Sequence, residues 1–413
     1  MSRPYLKSPL PLTFALVVGM GAVGCADSST ATMPPLSPTN ANADAVKFWE
    51  AGVSVQWNAI LRNLIAGKLA PSKPNQQATI RAFTYMSLAQ YDAVIAADDG
   101  KDGNEHPSAR GAVAGASAAV LEYLFPADIG ALEAAVQAQR TGPQYPGEEQ
   151  TSFAAGETIG RAVGAAVVAA AQTDGFTTAW TGAVPTGPGF WFSSANPPAP
   201  PVLPMLGQMR TFFMTSGSQF RPGPPPAYGS PEYLAALAEI RTLSDTRTPE
   251  QLAIAQYWAG TTGSLVGGFW NAEIADLAVS HHLDERRAAH AFALVNMAVM
   301  DANIACHDAK YTYWLIRPSQ ADPAITTPIG LPNHPSYPSN HGCDSGAAAY
   351  VLGALFPDQA TRLAAMAAEA AESRLYAGIH YRFDAVAGLH IGRQVADLAL
   401  ASDVYGHEPF ALP

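Results

Sequence analysis

The sequence is poor in cysteine, in charge and in basic residues. Three cysteines in 413 residues exclude a scaffold held together by disulfides. Charged residues make up only 14% of the chain, and 34 acidic against 23 basic residues give a formal net charge of -11. A protein that binds nucleic acid without sequence preference needs a basic surface, so a nucleic-acid partner is not expected. The 48% of hydrophobic residues can bury a large core without a structural metal.

Residues 1–25 have the features of an export signal. Arg3 and Lys7 supply positive charge, and the apolar run at 10–24 is shorter than the roughly 20 residues that span a bilayer. The letters AVGC at the end of this segment resemble a bacterial lipoprotein cleavage site and predict lipidation of Cys25. The alternative is ordinary secretory cleavage, with a cysteine that is incidental.

Residues 26–43 are rich in Ser, Thr, Pro, Asn and Ala, which predicts a flexible tether. No later segment is expected to be both long and apolar enough to form a transmembrane span. We therefore expect an exported protein, periplasmic, at the cell surface or extracellular, with a lipid anchor. Cys306 and Cys343 could pair in such an oxidising compartment, or they could be buried as small apolar residues.

Ala-rich segments with helical periodicity dominate the remainder, and alternating strand patterns are scarce. The sequence therefore predicts an all-α fold. Residues 181–230 are rich in Pro and Gly instead, which predicts a linker, and their aromatic residues indicate that it packs against a surface.

The regions on either side of this linker resemble each other. GAVAGASAAVLEYLFP at 111–126 matches GCDSGAAAYVLGALFP at 342–357 in nine of 16 positions. We therefore expect two related helical bundles, a duplication of the four-helix-bundle type, at 44–180 and 231–413. Arg110 occupies the position of His341 in this alignment, so the N-terminal bundle is expected to lack an active site.

Three polar clusters stand out between residues 310 and 384. The first joins Lys310 to Arg317-Pro318, and a spacing of seven residues predicts that both cations lie on one face of a helix. The second begins at His334 and includes Pro338-Ser339-Asn340-His341, just before a predicted helix. The third contains Ser373-Arg374, His380 and Asp384.

Brought together, these clusters would suit a tetrahedral oxyanion. The two arginines offer forked donors, and Lys310 adds a third positive charge. Ser339 and the backbone N–H groups of a helix N-terminus add neutral donors. If the last cluster is helical, Asp384 lies one turn from His380 and can fix the orientation of its ring.

The three clusters resemble the signature of the superfamily that joins type 2 phosphatidic acid phosphatases and bacterial acid phosphatases to vanadium-dependent haloperoxidases. That signature is Lys, six residues, Arg-Pro; then Pro-Ser-Gly-His; then Ser-Arg, five residues, His, three residues, Asp. Every spacing is kept here. The one departure is Asn340 in place of Gly, which keeps the backbone N–H and tolerates left-handed φ, although its side chain could narrow the pocket. Chain length and the two-bundle layout resemble the soluble haloperoxidase branch.

The resemblance implies an enzyme with vanadate as cofactor, or with phosphate in the same pocket. The residues implied to bind the oxyanion are Lys310, Arg317, Ser339, Asn340 and Arg374. His380 is implied to bond to vanadium as its metal ligand, oriented by Asp384. His341 is implied to be the acid/base that takes a proton from hydrogen peroxide.

The implied reaction is peroxidase chemistry, in which hydrogen peroxide oxidises a halide. Some bromide-oxidising members have a histidine at the position of His334, which favours bromide or iodide over chloride. The alternative is a phosphomonoesterase, in which His380 forms a phosphohistidine and His341 protonates the leaving group of a phosphate ester. A non-catalytic oxyanion-binding lipoprotein is a third reading, but mere binding does not require two histidines and Asp384. His307 precedes the first cluster and could support it from behind. The sequence leaves the organic substrate and the oligomeric state open.

Overall fold

The computed structural model describes residues 52–99, 107–141, 150–260, 263–403 and 408–413. In these ranges the chain forms thirteen α-helices and three short 3₁₀ helices, and the β-type pairing is a single isolated bridge between Phe190 and Leu315. The predicted all-α class is confirmed. The predicted signal, the tether and Cys25 lie outside the described residues.

The helices are α1 Val53–Gly67, α2 Gln76–Asp99, α3 Ala109–Leu124, α4 Ile129–Thr141, α5 Gln150–Ala171, α6 Pro231–Thr246, α7 Pro249–Ala259, α8 Leu265–Ser280, α9 Glu285–Tyr313, α10 Pro318–Ala321, α11 Asn340–Leu355, α12 Ala360–Tyr376 and α13 Arg382–Ala401. Side chains of Ser108, Ser230, Thr248 and Asp284 begin four of them by accepting a backbone N–H three residues on.

The helix order of the first half recurs in the second half. The series α2, α3, 3₁₀ turn, α4, α5 corresponds to the series α9, α11, 3₁₀ turn, α12, α13, with the short α10 added. Phe125 and Phe356 end the equivalent helices α3 and α11 with nearly the same backbone, φ −132° and ψ 64° against φ −130° and ψ 75°. The following proline cannot continue the α-helix, which explains the shared turn.

One hydrophobic core runs through both halves. It contains Phe83 and Val113 from the first half, and Phe292 and Val351 from the second. Helix α2 packs along α9, so the two longest helices meet in the middle of the molecule. The boundaries given above for two bundles stay a prediction.

The Pro-rich segment between the halves packs against this core, as its aromatic residues indicated. Trp191 is 1% exposed, and Leu206 belongs to the core. The carboxylate of Asp301 accepts the backbone N–H groups of Phe212, Phe213 and Met214 at 2.8–3.0 Å. These bonds fix the segment to α9, since a buried N–H group requires a partner.

The expectation that no later segment is apolar enough to span a membrane was wrong on length and composition. Helices α5 and α9 are both long and apolar enough. The apolar window of α9 is 100% buried inside the protein, which is how the central helix of a globular core is placed, whereas 33% of the window of α5 is buried. Burial, which the sequence does not reveal, separates a core helix from a span.

Candidate active site

Lys310 and Arg317 reach the same place by a different route from the one their spacing predicts. Lys310 lies in the last turn of α9, but the helix ends at Tyr313 and Trp314 takes a left-handed φ of 52°. Arg317 lies beyond this break, at the start of α10. The prediction of one continuous helical face is therefore wrong, because the chain turns between the two cations.

Both cations are buried and hold the loop before α11. Lys310 Nζ donates to the carbonyl oxygens of Pro335 at 3.1 Å and Ser336 at 2.8 Å, and also to that of Pro338. Arg317 donates from Nε to His334 O at 2.8 Å, and from Nη2 to His334 Nδ1 at 3.1 Å. These bonds fix the shape of the loop that carries the second cluster.

Helix α11 begins at Asn340, with Ser339 as the preceding residue. The side chain of Ser339 makes no capping hydrogen bond, and its buried Oγ has no partner in the described part of the chain. The first N–H groups of a helix have no partner within it, and they carry partial positive charge. Asn340 has helical backbone, so the left-handed conformation that was considered for it is not used.

His380 and Asp384 form the hydrogen bond that their spacing predicts. His380 Nδ1 lies 2.8 Å from Asp384 Oδ2. The helix α13 begins only at Arg382, so the pair spans a helix start rather than one regular turn. Asp384 Oδ2 also accepts from Ser336 Oγ at 2.6 Å, which ties this pair to the loop of the second cluster.

The ring of His380 is thereby oriented. A carboxylate accepts, so Nδ1 carries the proton and Nε2 carries a lone pair. Nε2 lies 3.4 Å from Arg317 Nη1. The lone pair of His380 Nε2 therefore faces the guanidinium of Arg317 and accepts a long hydrogen bond from it.

A cavity of about 340 Å³ opens in front of these groups. Five of the predicted site residues line it, namely His334, Asn340, His341, Arg374 and His380. Lys310, Arg317, Ser339 and Asp384 are buried behind that wall, each 0% exposed. The structure therefore brings the three clusters together, with part of the set at the cavity and part supporting it.

Arg374 and His341 are held from α7, which is far away in sequence. Arg374 Nη2 donates to Ala255 O at 2.9 Å. His341 Nε2 lies 2.8 Å from Trp258 O. A carbonyl oxygen only accepts, so Nε2 of His341 carries a proton, and the neutral ring keeps its lone pair on Nδ1.

Burial dominates the electrostatics of the site. It lowers the pKa of Lys310 to about 8, that of Arg317 to about 10 and that of Arg374 to about 9. Burial and the neighbouring cations hold the pKa of His380 well below its ordinary value, and burial raises the pKa of Asp384 to about 6. Three buried cations against one carboxylate are costly without a counter-charge, so the site favours an anion.

No motif in the sequence indicated that the first half contributes to the cavity. Asn75, Gln76 and Gln77, at the start of α2, line the same cavity. Gln76 Nε2 donates to Asp344 Oδ2 at 2.6 Å, and Asn303 donates to the other oxygen at 2.8 Å. Burial raises the pKa of Asp344 to about 7. This contribution depends on the packing of α2 on α9, and a contact between helices so far apart in the chain cannot be predicted from a local sequence pattern.

Arg382, beside the third cluster, makes exposed ion pairs with Glu239 at 2.6 Å and Glu372 at 2.9 Å. Cys306 and Cys343 are both free and buried. His307 lies behind the site and faces Asn340, with 3.3 Å between its Nδ1 and the carboxamide nitrogen.

Known proteins resemble this chain in the region of the three clusters. Residues 290–405, which contain all three clusters, match the family model of the PAP2 superfamily. The matched region lies within the second half of the chain. The superfamily that the motifs resembled is thereby confirmed.

Solved structures extend the likeness to most of the chain. A bacterial vanadium-dependent iodoperoxidase superposes with a TM-score of 0.70 and 23% identity, over 90% of this chain and 98% of that one. The holo-type of a bacterial vanadium-dependent chloroperoxidase gives 0.67 and 14%, over 85% and 97%. A search among curated proteins found no significant match. Identities this low establish a shared fold, which is the haloperoxidase fold.

Proposed function

We propose that this protein is a vanadium-dependent haloperoxidase that uses hydrogen peroxide to oxidise a halide, with bromide or iodide favoured. The observation that carries the proposal is the cavity lined by Arg374, His341 and His380. Two further cations, Lys310 and Arg317, are buried behind its wall. The haloperoxidase fold over most of the chain supports it.

The residues present fit a vanadate group. The buried Oγ of Ser339 has no partner among the residues that the structure describes, and the excess of buried cations matches an oxyanion. Arg374, the hydroxyl of Ser339 and the N–H of Asn340 would hold its oxygens, and His380 would bond to vanadium through Nε2. Lys310 and Arg317, whose N–H groups already bind carbonyl oxygens and histidine nitrogens, would add positive charge from behind the cavity wall. When bound, vanadate would supply a Lewis-acidic centre that makes peroxide a stronger oxidant towards halide.

The protein's own groups then have separate tasks. Asp384 keeps the proton of His380 on Nδ1, which leaves Nε2 free as a ligand. His341 is neutral because burial holds its pKa well below the ordinary value, so its Nδ1 can accept a proton from hydrogen peroxide. Lys310 and Arg317 hold the 334–338 loop, and with it the wall of the cavity.

A phosphatase is the second candidate. The superfamily that the three clusters resemble, and whose model matches residues 290–405, joins phosphatases to haloperoxidases. The same oxyanion site would then bind a phosphate ester, and the lone pair on His380 Nε2 would be the nucleophile.

The experiment is to purify the chain from residue 26 onwards, strip bound anion, and add vanadate, hydrogen peroxide and bromide or iodide at pH 5–8. Halogenation of an organic acceptor should require vanadate and disappear in His380→Ala. His390→Ala, an exposed change on the same helix α13, is the matched control and should keep the activity. Hydrolysis of a phosphate ester that vanadate inhibits, without halide oxidation, would establish the phosphatase instead.

Export and lipid anchoring at Cys25 are a separate proposal, supported by the N-terminal sequence alone. Labelled lipid should appear on the wild type and be absent from Cys25→Ala. Label that persists in the variant would rule out this anchor.

A further inference from the structure

The side-chain amide of Asn340 has one long contact to a ring nitrogen and one unsatisfied atom. Its Nδ2 lies 3.3 Å from His307 Nδ1, and its buried Oδ1 has no partner among the described residues. The residue is 4% exposed and lines the anion cavity.

His307 decides how the carboxamide is turned. His307 Nδ1 also lies 3.0 Å from the carbonyl oxygen of Asn303, which can only accept a hydrogen bond. Burial lowers the pKa of His307 to about 3, so the ring is neutral and has one N–H. With that proton on Nδ1, the nitrogen cannot also accept from Asn340.

Turning the carboxamide over removes the conflict. The oxygen and nitrogen of an asparagine side chain are assigned from their hydrogen bonds, since their shapes are nearly the same. After the exchange, Oδ1 of Asn340 accepts from His307 Nδ1–H, which is shared with Asn303 O. The NH₂ group then takes the place of Oδ1, which meets no donor among the residues that the structure describes.

We propose that the side-chain NH₂ of Asn340 is an additional donor to the anion in this cavity, and that His307 is the positioning residue that points it there. The inference deepens the proposed function and rests on its oxyanion site. A buried N–H without an acceptor is costly, and an anion oxygen would satisfy it. A glycine at this position could offer only its backbone N–H, so this donor follows from the one departure from the family's motif.

The test measures binding of orthovanadate and, separately, of inorganic phosphate to the full mature chain by titration calorimetry. Asn340→Gly should weaken both anions about tenfold, the effect of one hydrogen bond to a charged group. Asn340→Asp, which keeps the acceptor for His307 and replaces the donor by a negative charge, should weaken them about a hundredfold or more. Affinity that stays the same or rises in Asn340→Gly would overturn the proposal.

Asn75→Asp is the matched control for added charge. Asn75 lines the same cavity, and its Oδ1 accepts the N–H of Ala78, a role that aspartate retains. Its effect should be much smaller than that of Asn340→Asp. An equal loss in both variants would show that charge, not the lost donor, weakens binding, and would contradict the inference.

The role of His307 is tested by its dependence on Asn340. His307→Phe should weaken anion binding several-fold in the wild-type background and have no further effect in Asn340→Gly. His307→Asn should restore binding, because an asparagine NH₂ can donate near the position of the ring Nδ1. Equal losses in both backgrounds would show a purely structural role and overturn the positioning claim.

The outcomes also separate the two proposals. If the wild type binds neither anion, the oxyanion site and this inference both fail. If it binds them with the predicted losses but oxidises no halide, the haloperoxidase proposal fails and the role of Asn340 stands.

Discussion

The start of α3 and the start of α11 show the same backbone with different chemistry. Ser108 and Ser339 each follow a proline and precede a helix. The backbone N–H of Ser108 donates to a carbonyl oxygen of α5, and that of Ser339 donates to a carbonyl oxygen of α13. The partners are Ser152 O at 2.9 Å in the first half and Asp384 O at 3.0 Å in the second. Ser108 Oγ accepts the N–H of Gly111 and caps its helix, whereas Ser339 Oγ has no such bond.

Few side chains account for this difference. Arg110 stands where the second half has His341, and Ser152 stands where it has Asp384. In the first half the serine hydroxyl caps its helix, whereas in the second half it makes no capping bond and can bind a ligand. The same frame therefore serves as scaffold in one half and as a candidate site in the other.

The largest expected effect concerns the shared frame. A Cβ on Gly160 would collide with Ala112 O, and a Cβ on Gly392 would lie 2.5 Å from Cys343 O. Both alanine variants should lose about 3 kcal/mol of unfolding free energy, because neither pair of backbones can separate without loss of packing.

Thermal and denaturant unfolding measure these losses. Gly130→Ala in α4 is the control, since a Cβ there meets nothing within 4 Å, and it should not destabilise. A loss of unfolding free energy in only one of the two variants would contradict the conclusion that the two halves share the same close helix packing.

The next effect exchanges residues across the repeat. His341→Arg should reduce vanadate-dependent halide oxidation at least a hundredfold, the usual contribution of a general base. Arg110→His should leave the rate within about twofold. Steady-state rates with bromide and iodide check this pair, and equal effects of the two changes would contradict the assignment of one site to the second half.

A smaller effect, on the pH dependence of anion binding, follows from the different partners of the buried cations in the two halves. Arg81, in the first half, lies 2.7 Å from the carboxylate of Asp174, whereas the bonds of Lys310 go to carbonyl oxygens. Burial lowers the pKa of Lys310 to about 8, so its charge is lost as pH rises from 7 to 9. Anion affinity should therefore fall, by up to about tenfold per pH unit above 8.

Sulfate is a suitable probe, because its charge is constant in this range. The decline measured by calorimetry should be absent in Lys310→Met, which binds sulfate weakly at every pH. A wild-type affinity that does not change between pH 7 and pH 9 would exclude Lys310 as the titrating group.

The smallest effect separates the two serines. Ser108→Ala should cost about 1 kcal/mol of stability, as a lost helix cap does, with unchanged anion binding. Ser339→Ala should leave stability nearly unchanged and weaken phosphate binding several-fold. Unfolding and calorimetry on both variants measure the contrast, which fails if Ser339→Ala destabilises as much as Ser108→Ala.

Much of the site could be predicted from the sequence, because its motifs are short and local. The pair His380–Asp384 is four residues apart, and its hydrogen bond forms even though α13 starts between them. The position of Arg317 could not be predicted, since it depends on the turn that Trp314 makes where α9 ends. The apolar composition of α9 did not by itself distinguish a buried core helix from a membrane span.

The sequence by itself determined the helical class, the repeat and the identity of the charged groups, because these depend on residue type and spacing. Only the tertiary structure decided which groups reach the cavity and which stay behind it. It also placed Gln76, from the first half, against Asp344. Packing of α2 on α9 joins residues that are far apart in the chain, and burial in the folded protein lowers the pKa of Lys310.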